Sequence, residues 1–182
     1  RLTAESAART EATKAQLGRQ KHRAEVPDEA AFLASMQVQT RMARMTPGED
    51  LTRVEELFAR TTQFNTTGVK FPVSELAALV EQPGAGVFVM RVSDRFGDHG
   101  LVGAAVVQGG EILGLAISCR VLGLGVEHAF MHFIMQEMSA DHAALQAKII
   151  ATARNGPVRN LYRDNAFTQD IDGVWRRDLK AG

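Results

Sequence analysis

The sequence is poor in the residues that mark several classes of protein. Its 182 residues include one cysteine, Cys119, so no internal disulfide can form, and this favours a reducing, cytoplasmic setting. No apolar run approaches the roughly 20 residues that a membrane span needs, so we expect no membrane partner. Basic and acidic residues both number 21, and this zero formal net charge gives no global basic field that would favour nucleic acid.

Residues 3–25 are rich in strong helix formers but have almost no large apolar side chain apart from Leu17. A helix without an apolar stripe is not held by its own packing, so we expect a solvated helix. The alternative is a helix that docks on an upstream domain. We therefore divide the chain into a helical connector to an upstream domain, residues 1–27, and a folded domain, residues 28–182.

The folded domain alternates between strand and helix patterns in a mixed order. The predicted order is a short helix capped by Asp28, a strand, two helices, a meander of three strands, a helix, a strand, a helix and a strand. The predicted later elements are strands at 86–92, 101–107, 112–119 and 145–153 and helices at 126–138 and 155–165. This order favours an α/β (α+β) layer with a partly antiparallel sheet.

A glycine-containing turn follows the predicted central strand at Arg120, Gly123 and Gly125. Glycine lets the backbone approach an anion, and the N–H groups at the start of the next helix point toward it. Arg120 adds a charged partner, so a diphosphate or the phosphate of phosphopantetheine would suit this turn. The alternative is that the glycines only connect strand to helix. A dinucleotide fingerprint needs a third glycine, and His128 or Ala129 stands there.

Cys119 ends the predicted central strand just before a helix begins. The helix dipole and Arg120 would favour its thiolate, which can carry an acyl group as a thioester. His128 is a candidate base one helical stretch later. The alternative is that Cys119 is a small buried apolar residue.

The segment from Asn155 to Phe167 resembles the second signature of GNAT acyltransferases, in which an Asn leads a helix that ends in Tyr and then Gly-Phe. Ala166 stands where glycine is usual. The resemblance implies a GNAT-like acyltransferase fold, in which the turn at Arg120, Gly123 and Gly125 would bind the diphosphate of coenzyme A or a related cofactor and Asn155 would also contact the cofactor. It also implies that Tyr162 is the general acid for the departing thiolate. The alternative is a tyrosine that packs its ring in the core.

Three blocks of sequence, 61–67, 93–103 and 118–123, resemble the C-terminal half of FkbH-like proteins, and the similarity spans about residues 32–179. The resemblance implies transfer of a glyceryl or similar short acyl unit, through a Cys119 thioester, onto the phosphopantetheine of an acyl carrier protein in polyketide or non-ribosomal peptide biosynthesis. The implied partners are the carrier protein, a small-acyl donor and an upstream HAD-like phosphatase domain. No metal is expected in this domain, because the phosphatase half is missing from the sequence.

Several polar residues are candidates for substrate binding. Gln63 and Asn65 lie in the break after a predicted helix and could bind glyceryl hydroxyls, or they could cap the helix end. Arg95 could bind a phosphate or carboxylate, or it could lie in a solvated hairpin loop. His128 and His132 share a helix face, but the Glu of a zinc motif is absent.

Three functions stay open at this point. The first is short-acyl transfer to a carrier protein. The second is an acetyl-CoA-dependent GNAT N-acetyltransferase. The third is a non-catalytic module that docks a carrier protein.

Overall fold

The computed structural model describes residues 4–180. A seven-stranded sheet has the order β1-β2-β3-β4-β5-β7-β6. The strands are β1 Gln39–Arg44, β2 Gly86–Asp94, β3 Gly97–Gln108, β4 Glu111–Ile117, β5 Ala144–Ala147, β6 Thr168–Gln169 and β7 Trp175–Asp178. The helices are α1 Ala4–Glu25, α2 Glu29–Ser35, α3 Thr52–Arg60, α4 Val73–Glu81, α5 Val126–Met138 and α6 Leu161–Asp164, and 3-10 turns span Cys119–Val121 and Gly156–Val158.

The sheet is mixed, as the sequence predicts. Neighbouring strands are antiparallel except β4 and β5, which are parallel. These two strands pair at only two positions, Glu111 with Gln146 and Ile112 with Ala147. The sheet is therefore joined at the beginning of β4, and its two halves separate toward the end of β4 that leads to Cys119.

Both faces of the sheet are covered. Successive residues of a strand point to opposite faces, and in β2 Phe88 and Met90 belong to one buried cluster while Val87 and Val89 belong to another. The helix α5 packs its apolar residues into the first cluster, and α3 and α4 pack into the second. This explains why β2 to β4 have almost continuous apolar sequences.

Local signals in the sequence located several elements well. Asp28 caps α2, because its side chain accepts a hydrogen bond from the Ala31 N–H at 2.8 Å. The helix α5 has the predicted bounds. Gly109 and Gly110 both have positive φ in the hairpin turn between β3 and β4, as a two-residue turn requires.

The predicted helix over 155–165, capped by Asn155, is wrong. The segment forms the short 3-10 turn and then the four-residue α6, and the side chain of Asn155 makes no capping bond to either. Its Oδ1 instead accepts from the Thr152 N–H at 2.8 Å and from Arg159 Nε at 3.1 Å. The strand predicted over 145–153 is also shorter, because β5 ends at Ala147.

The helix α1 is not solvated on all sides, in contrast to the expectation. Ala15 is buried, and Gly18 lies so close to Phe96 that a Cβ there would be 2.8 Å from its ring. The Arg19 side chain, only 12% exposed, forms an ion pair with Asp94 at 3.2 Å. Small residues and one buried charge thus replace the missing apolar stripe. The connection of this helix to an upstream domain stays a prediction.

None of the helices within residues 4–180 combines the length and the apolar character needed to cross a membrane.

Candidate functional site

Cys119 lies exposed beside a cavity of about 540 Å³ between α1, α3 and the end of β4. It begins the 3-10 turn that follows β4, and the Ser118 N–H before it donates to the Val102 carbonyl at 2.7 Å. Gln63, Ser118 and Arg120 line the same cavity. The structure thus brings three of the residues singled out from the sequence, Gln63, Cys119 and Arg120, to one cavity. The exposed thiol does not fit the alternative of a buried apolar cysteine.

The cavity is strongly basic. Its lining side chains include four arginines, Arg9, Arg53, Arg60 and Arg120, and one glutamate, Glu56. The carboxylate of Glu56 is engaged by Arg53 at 2.7 Å. Excess positive charge beside an exposed thiol favours an anionic ligand.

Among Arg53, Arg60 and Arg120, the side chain of Arg120 is the most buried. Its guanidinium Nε donates to Ser118 Oγ at 3.3 Å, and no carboxylate within residues 7–180 pairs with it. Burial lowers the pKa of Arg120, and the nearby charge of Arg53 lowers it further. An arginine remains charged despite such shifts. Arg120 is therefore a half-buried cation that pairs with no carboxylate within residues 7–180.

The glycine turn after Arg120 is open to solvent. Gly123 and Gly125 have φ of 84° and 73°, values that favour glycine, and a Cβ on either would meet no atom within 4 Å. Gly125 begins α5 without a side-chain cap, so the first N–H groups of the helix are available to an anion. Glu127 in the first turn opposes this, because its carboxylate adds negative charge near the same N–H groups.

A buried charge cluster, which no sequence pattern indicates, supports this turn. The Arg19 guanidinium donates to the main-chain carbonyl of Arg120, and its Nη2 lies 2.9 Å from His99 Nε2. His99 Nε2 in turn lies 2.9 Å from Asp94 Oδ2. The three side chains are almost fully buried, so α1, the β2–β3 hairpin and the residue after Cys119 are joined by one polar network.

The arginines of α3 were also missed, although a signal for them exists. Arg53, Leu57 and Arg60 are spaced i, i+4 and i+7, which places them on one face of a helix. That face lines the cavity. Only the fold shows that it meets the end of β4.

Tyr162 is not brought to the cavity. It is fully buried, its ring packs against Phe167 at 5.1 Å between centroids, and its hydroxyl has no hydrogen-bond partner of good geometry within residues 7–180. Burial raises the pKa of Tyr162 far above its usual value, and the neighbouring Thr66 hydroxyl offsets this only in part. The role of Tyr162 as an acid stays a prediction that this position does not favour.

His128 and Arg95 also lie elsewhere. His128 is exposed on α5, with its Nδ1 3.2 Å from Asn165 Nδ2, and it does not line the cavity. Arg95 lies at the tip of the β2–β3 hairpin, with its guanidinium over the Phe96 ring. The structure therefore places no predicted base beside Cys119.

Asn65 and Asn155 line a second cavity, of about 410 Å³, on the other side of the loop that follows α3. Both side chains are buried and their amides bond to the protein itself. Asn65 Oδ1 accepts from the Gly68 N–H at 2.9 Å, and its Nδ2 donates to the Thr61 carbonyl at 3.1 Å. In this structure both residues hold the loop in place.

Within residues 4–180, no three or more His, Cys, Asp or Glu side chains lie close enough together to hold a metal ion. His132 is exposed on α5. Asp170 holds the turn before β7, because its Oδ1 accepts from the N–H groups of Asp172 and Val174.

The comparisons with solved structures identify the fold. The ribosomal-protein-S18-alanine N-acetyltransferase from Escherichia coli aligns with a TM-score of 0.55 and 13% identity, over 79% of this chain and 96% of that one. An N-acetyltransferase from Staphylococcus aureus aligns with a TM-score of 0.53 and 17% identity, over 78% of this chain and 99% of that one.

A protein from Desulfovibrio desulfuricans assigned to the GNAT family of acetyltransferases gives a TM-score of 0.53 at 15% identity, over 78% of this chain and 99% of that one. No model of a protein family and no curated protein matches the chain. At these identities the likeness concerns the fold and not the substrate. The chain therefore has the GNAT acetyltransferase fold, as the Asn155–Phe167 signature predicts.

Proposed function

We propose that the domain is an acyltransferase that carries a glyceryl or similar short acyl unit on Cys119 and passes it to the phosphopantetheine thiol of an acyl carrier protein. The observation that carries this proposal is the position of Cys119. It is an exposed thiol at the end of the central strand, beside a cavity lined by arginines. The GNAT fold, whose aligned members are acetyltransferases, supports acyl transfer in general.

The proposed reaction has two exchanges of an acyl group. The Cys119 thiolate attacks the carbonyl carbon of the donor, the bond from that carbon to the donor's leaving group breaks, and a thioester forms on Cys119. The thiolate of the carrier then attacks this thioester and releases the Cys119 thiolate. Cationic Arg53, Arg60 and Arg120 line the cavity, and their charge would attract an anionic donor.

The cofactor or carrier group would be held by its phosphate. The open turn at Gly123 and Gly125, with Arg120 and the uncapped start of α5, offers N–H donors and one charge for this purpose. Phosphopantetheine supplies the thiol that accepts the acyl unit when the carrier is bound. Coenzyme A offers the same phosphate chemistry, so it is the alternative ligand of this turn.

The second candidate is an acetyl-CoA-dependent N-acetyltransferase, and the fold of the aligned structures favours it. Such an enzyme would transfer acetyl directly to an amine without acylating Cys119. The third candidate is a module that only docks a carrier protein and leaves the chemistry to a partner domain.

Intact-mass measurement distinguishes the three. We expect the protein, incubated with a glyceryl thioester, to gain one glyceryl mass that Cys119→Ala abolishes and that is passed on to a phosphopantetheinylated carrier protein. Cys119→Ser, which keeps the side-chain size, tests the thiol itself. Acylation that persists in Cys119→Ala contradicts the proposal. Acetyl transfer to amines from acetyl-CoA by the alanine variant favours the second candidate, and inactivity of the unchanged protein favours the third.

A further inference from the structure

The separation between β4 and β5 is filled by the chain itself. Past their two paired positions, the edge of β4 that faces β5 meets the segment Phe64–Thr66, defined here as the inserted strand. Asn65 forms an antiparallel bridge with Ala116. On its other side, the Thr66 carbonyl accepts from the Ile150 N–H, just beyond β5, at 2.8 Å. The inserted strand therefore lies between the two halves of the sheet.

Four hydrogen-bonding groups along this edge of β4 are paired with residues 64–67. Leu115 donates its N–H to Thr66 Oγ1 at 3.0 Å and accepts from the Thr66 N–H at 3.1 Å. Ile117 donates to the Phe64 carbonyl at 2.9 Å, and the Leu113 carbonyl accepts from Thr67 Oγ1 at 2.9 Å. A strand edge that is already occupied by another segment leaves no room for an incoming extended chain to pair with it.

The inserted strand is also tightly held. Phe64, Asn65 and Thr66 are buried, with exposures of 5%, 3% and 0%. The Asn155 side chain donates to the Asn65 carbonyl at 3.1 Å, and Asn65 caps its own loop through Oδ1. A segment with this density of buried hydrogen bonds opens rarely.

We infer that the inserted strand is a permanent part of the sheet, so that an acyl-bearing pantetheine arm reaches Cys119 through the arginine-lined cavity and not along the edge of β4. This deepens the proposed function and rests on it for the identity of the arm. A pantetheine arm is an extended chain with two amide groups, and an open strand edge is where such a chain would pair. Here that edge is occupied, whereas the cavity beside Cys119 is lined by Gln63 and Arg60, whose side chains are exposed.

The inference also accounts for the position of Tyr162. The Thr66 hydroxyl is close enough to influence the Tyr162 hydroxyl, which is fully buried. An arm confined to the cavity therefore does not meet Tyr162. A proton for the departing thiolate then comes from solvent in the open cavity.

The route can be tested without any acyl donor. Pantethine, the disulfide of pantetheine, reacts with Cys119 when the thiolate attacks one sulfur, forms a mixed disulfide and releases one pantetheine thiolate. Amide hydrogen exchange is then compared between free and pantetheine-modified protein at Thr66, Leu115, Ile117 and Ile150. We expect these amides to stay protected in both states. Loss of protection on modification would mean that the arm displaces the inserted strand, and would overturn the inference.

A pair of matched variants tests the cavity. Gln63→Trp adds bulk at the cavity of Cys119, and Lys70→Trp adds it at an exposed position that lines only the second cavity. The quantity compared is the ratio of two rates of Cys119 modification, that by pantethine over that by a small methanethiosulfonate. We expect Gln63→Trp to lower this ratio about tenfold, which corresponds to a rise of about 1.4 kcal/mol in the barrier. Lys70→Trp should leave the ratio unchanged.

Equal rate ratios in both variants would show that the arm does not pass Gln63, and would overturn the inference. If Gln63→Trp does not fold, the hydrogen-exchange comparison on the unchanged chain decides alone. The proposed function fails separately, when Cys119 reacts with pantethine as expected but takes no acyl group from a thioester.

Discussion

Asn155 donates from Nδ2 to the main-chain carbonyl of Asn65 at 3.1 Å, across a separation of 90 residues. The same Nδ2 donates to the Ile150 carbonyl at 2.9 Å. Because Ile150 also donates its N–H to the Thr66 carbonyl, this one buried amide ties the inserted strand to the segment that follows β5. Asn155 was proposed from the sequence as a cofactor contact, and its hydrogen bonds show a structural function in the sheet.

We expect Asn155→Ala to lower the free energy of unfolding by about 1–3 kcal/mol, because it leaves buried main-chain carbonyls without donors. Urea denaturation measures this loss. Asn160→Ala is the matched control, because Asn160 is exposed and makes no capping bond, and we expect it to stay within about 0.5 kcal/mol of the unchanged protein. An equal effect of both substitutions would contradict the structural role of Asn155.

Sequence reasoning succeeded where the determinants are local. The bounds of α5 follow from an apolar run that begins after Gly125, and the start of α2 follows from the one side chain of Asp28. The order of strands and helices gave the mixed sheet, and the short signature after Asn155 gave the fold. Each of these signals spans a few residues, so a single sequence is enough to read them.

The same reasoning failed where pairing joins distant segments. The inserted strand has the sequence Phe64-Asn65-Thr66, which reads as a helix break because its partners in β4 are 49 or more residues away. Arg19 reads as one charge on a solvated helix until Asp94 and His99 are brought against it. Of the candidate site residues, Cys119, Arg120 and Gln63 line the cavity, whereas Tyr162, His128 and Arg95 lie outside it.

Arg19→Met should release α1 from the β2–β3 hairpin. The substitution leaves the buried Asp94 carboxylate without its arginine and the Arg120 carbonyl without its donor. Breaking a buried ion pair in this way costs about 3–5 kcal/mol. We expect a corresponding loss in urea denaturation and earlier proteolysis within α1.

Lys14→Met provides the comparison on the same helix. Lys14 pairs with Glu11 at 3.0 Å, but both side chains are largely exposed, so the loss should be about 0.2–0.5 kcal/mol. If α1 resists protease equally well in the Arg19 and Lys14 variants, the buried network does not hold the helix.

Tyr162→Phe should leave the rate of transfer from Cys119 to a carrier thiol within about twofold of the unchanged protein, because Tyr162 lies outside the cavity. A residue that acts as general acid normally contributes about 100-fold or more, so the two cases are easily told apart. The substitution removes a buried hydroxyl that has no hydrogen-bond partner of good geometry within residues 7–180, so the free energy of unfolding should stay equal or rise. Single-turnover transfer and urea denaturation measure the two effects. A 100-fold loss of transfer with unchanged stability would restore the role of Tyr162 as general acid.

Gly125→Ala tests the turn that begins α5. Its φ of 73° strains any residue with a Cβ, so we expect a loss of about 1–2 kcal/mol even though the added methyl group meets no protein atom. Gly156→Ala is the control, because its φ is not in the left-handed region and its Cβ also meets no atom within 4 Å, so stability should hold or rise.

In Gly125→Ala the methyl group projects into the open space over the turn. If a phosphate of the carrier or of coenzyme A lies there, its calorimetric binding should weaken in Gly125→Ala and stay unchanged in Gly156→Ala. Equal binding by both variants would move the phosphate away from this turn and leave Arg120 to act in the cavity alone.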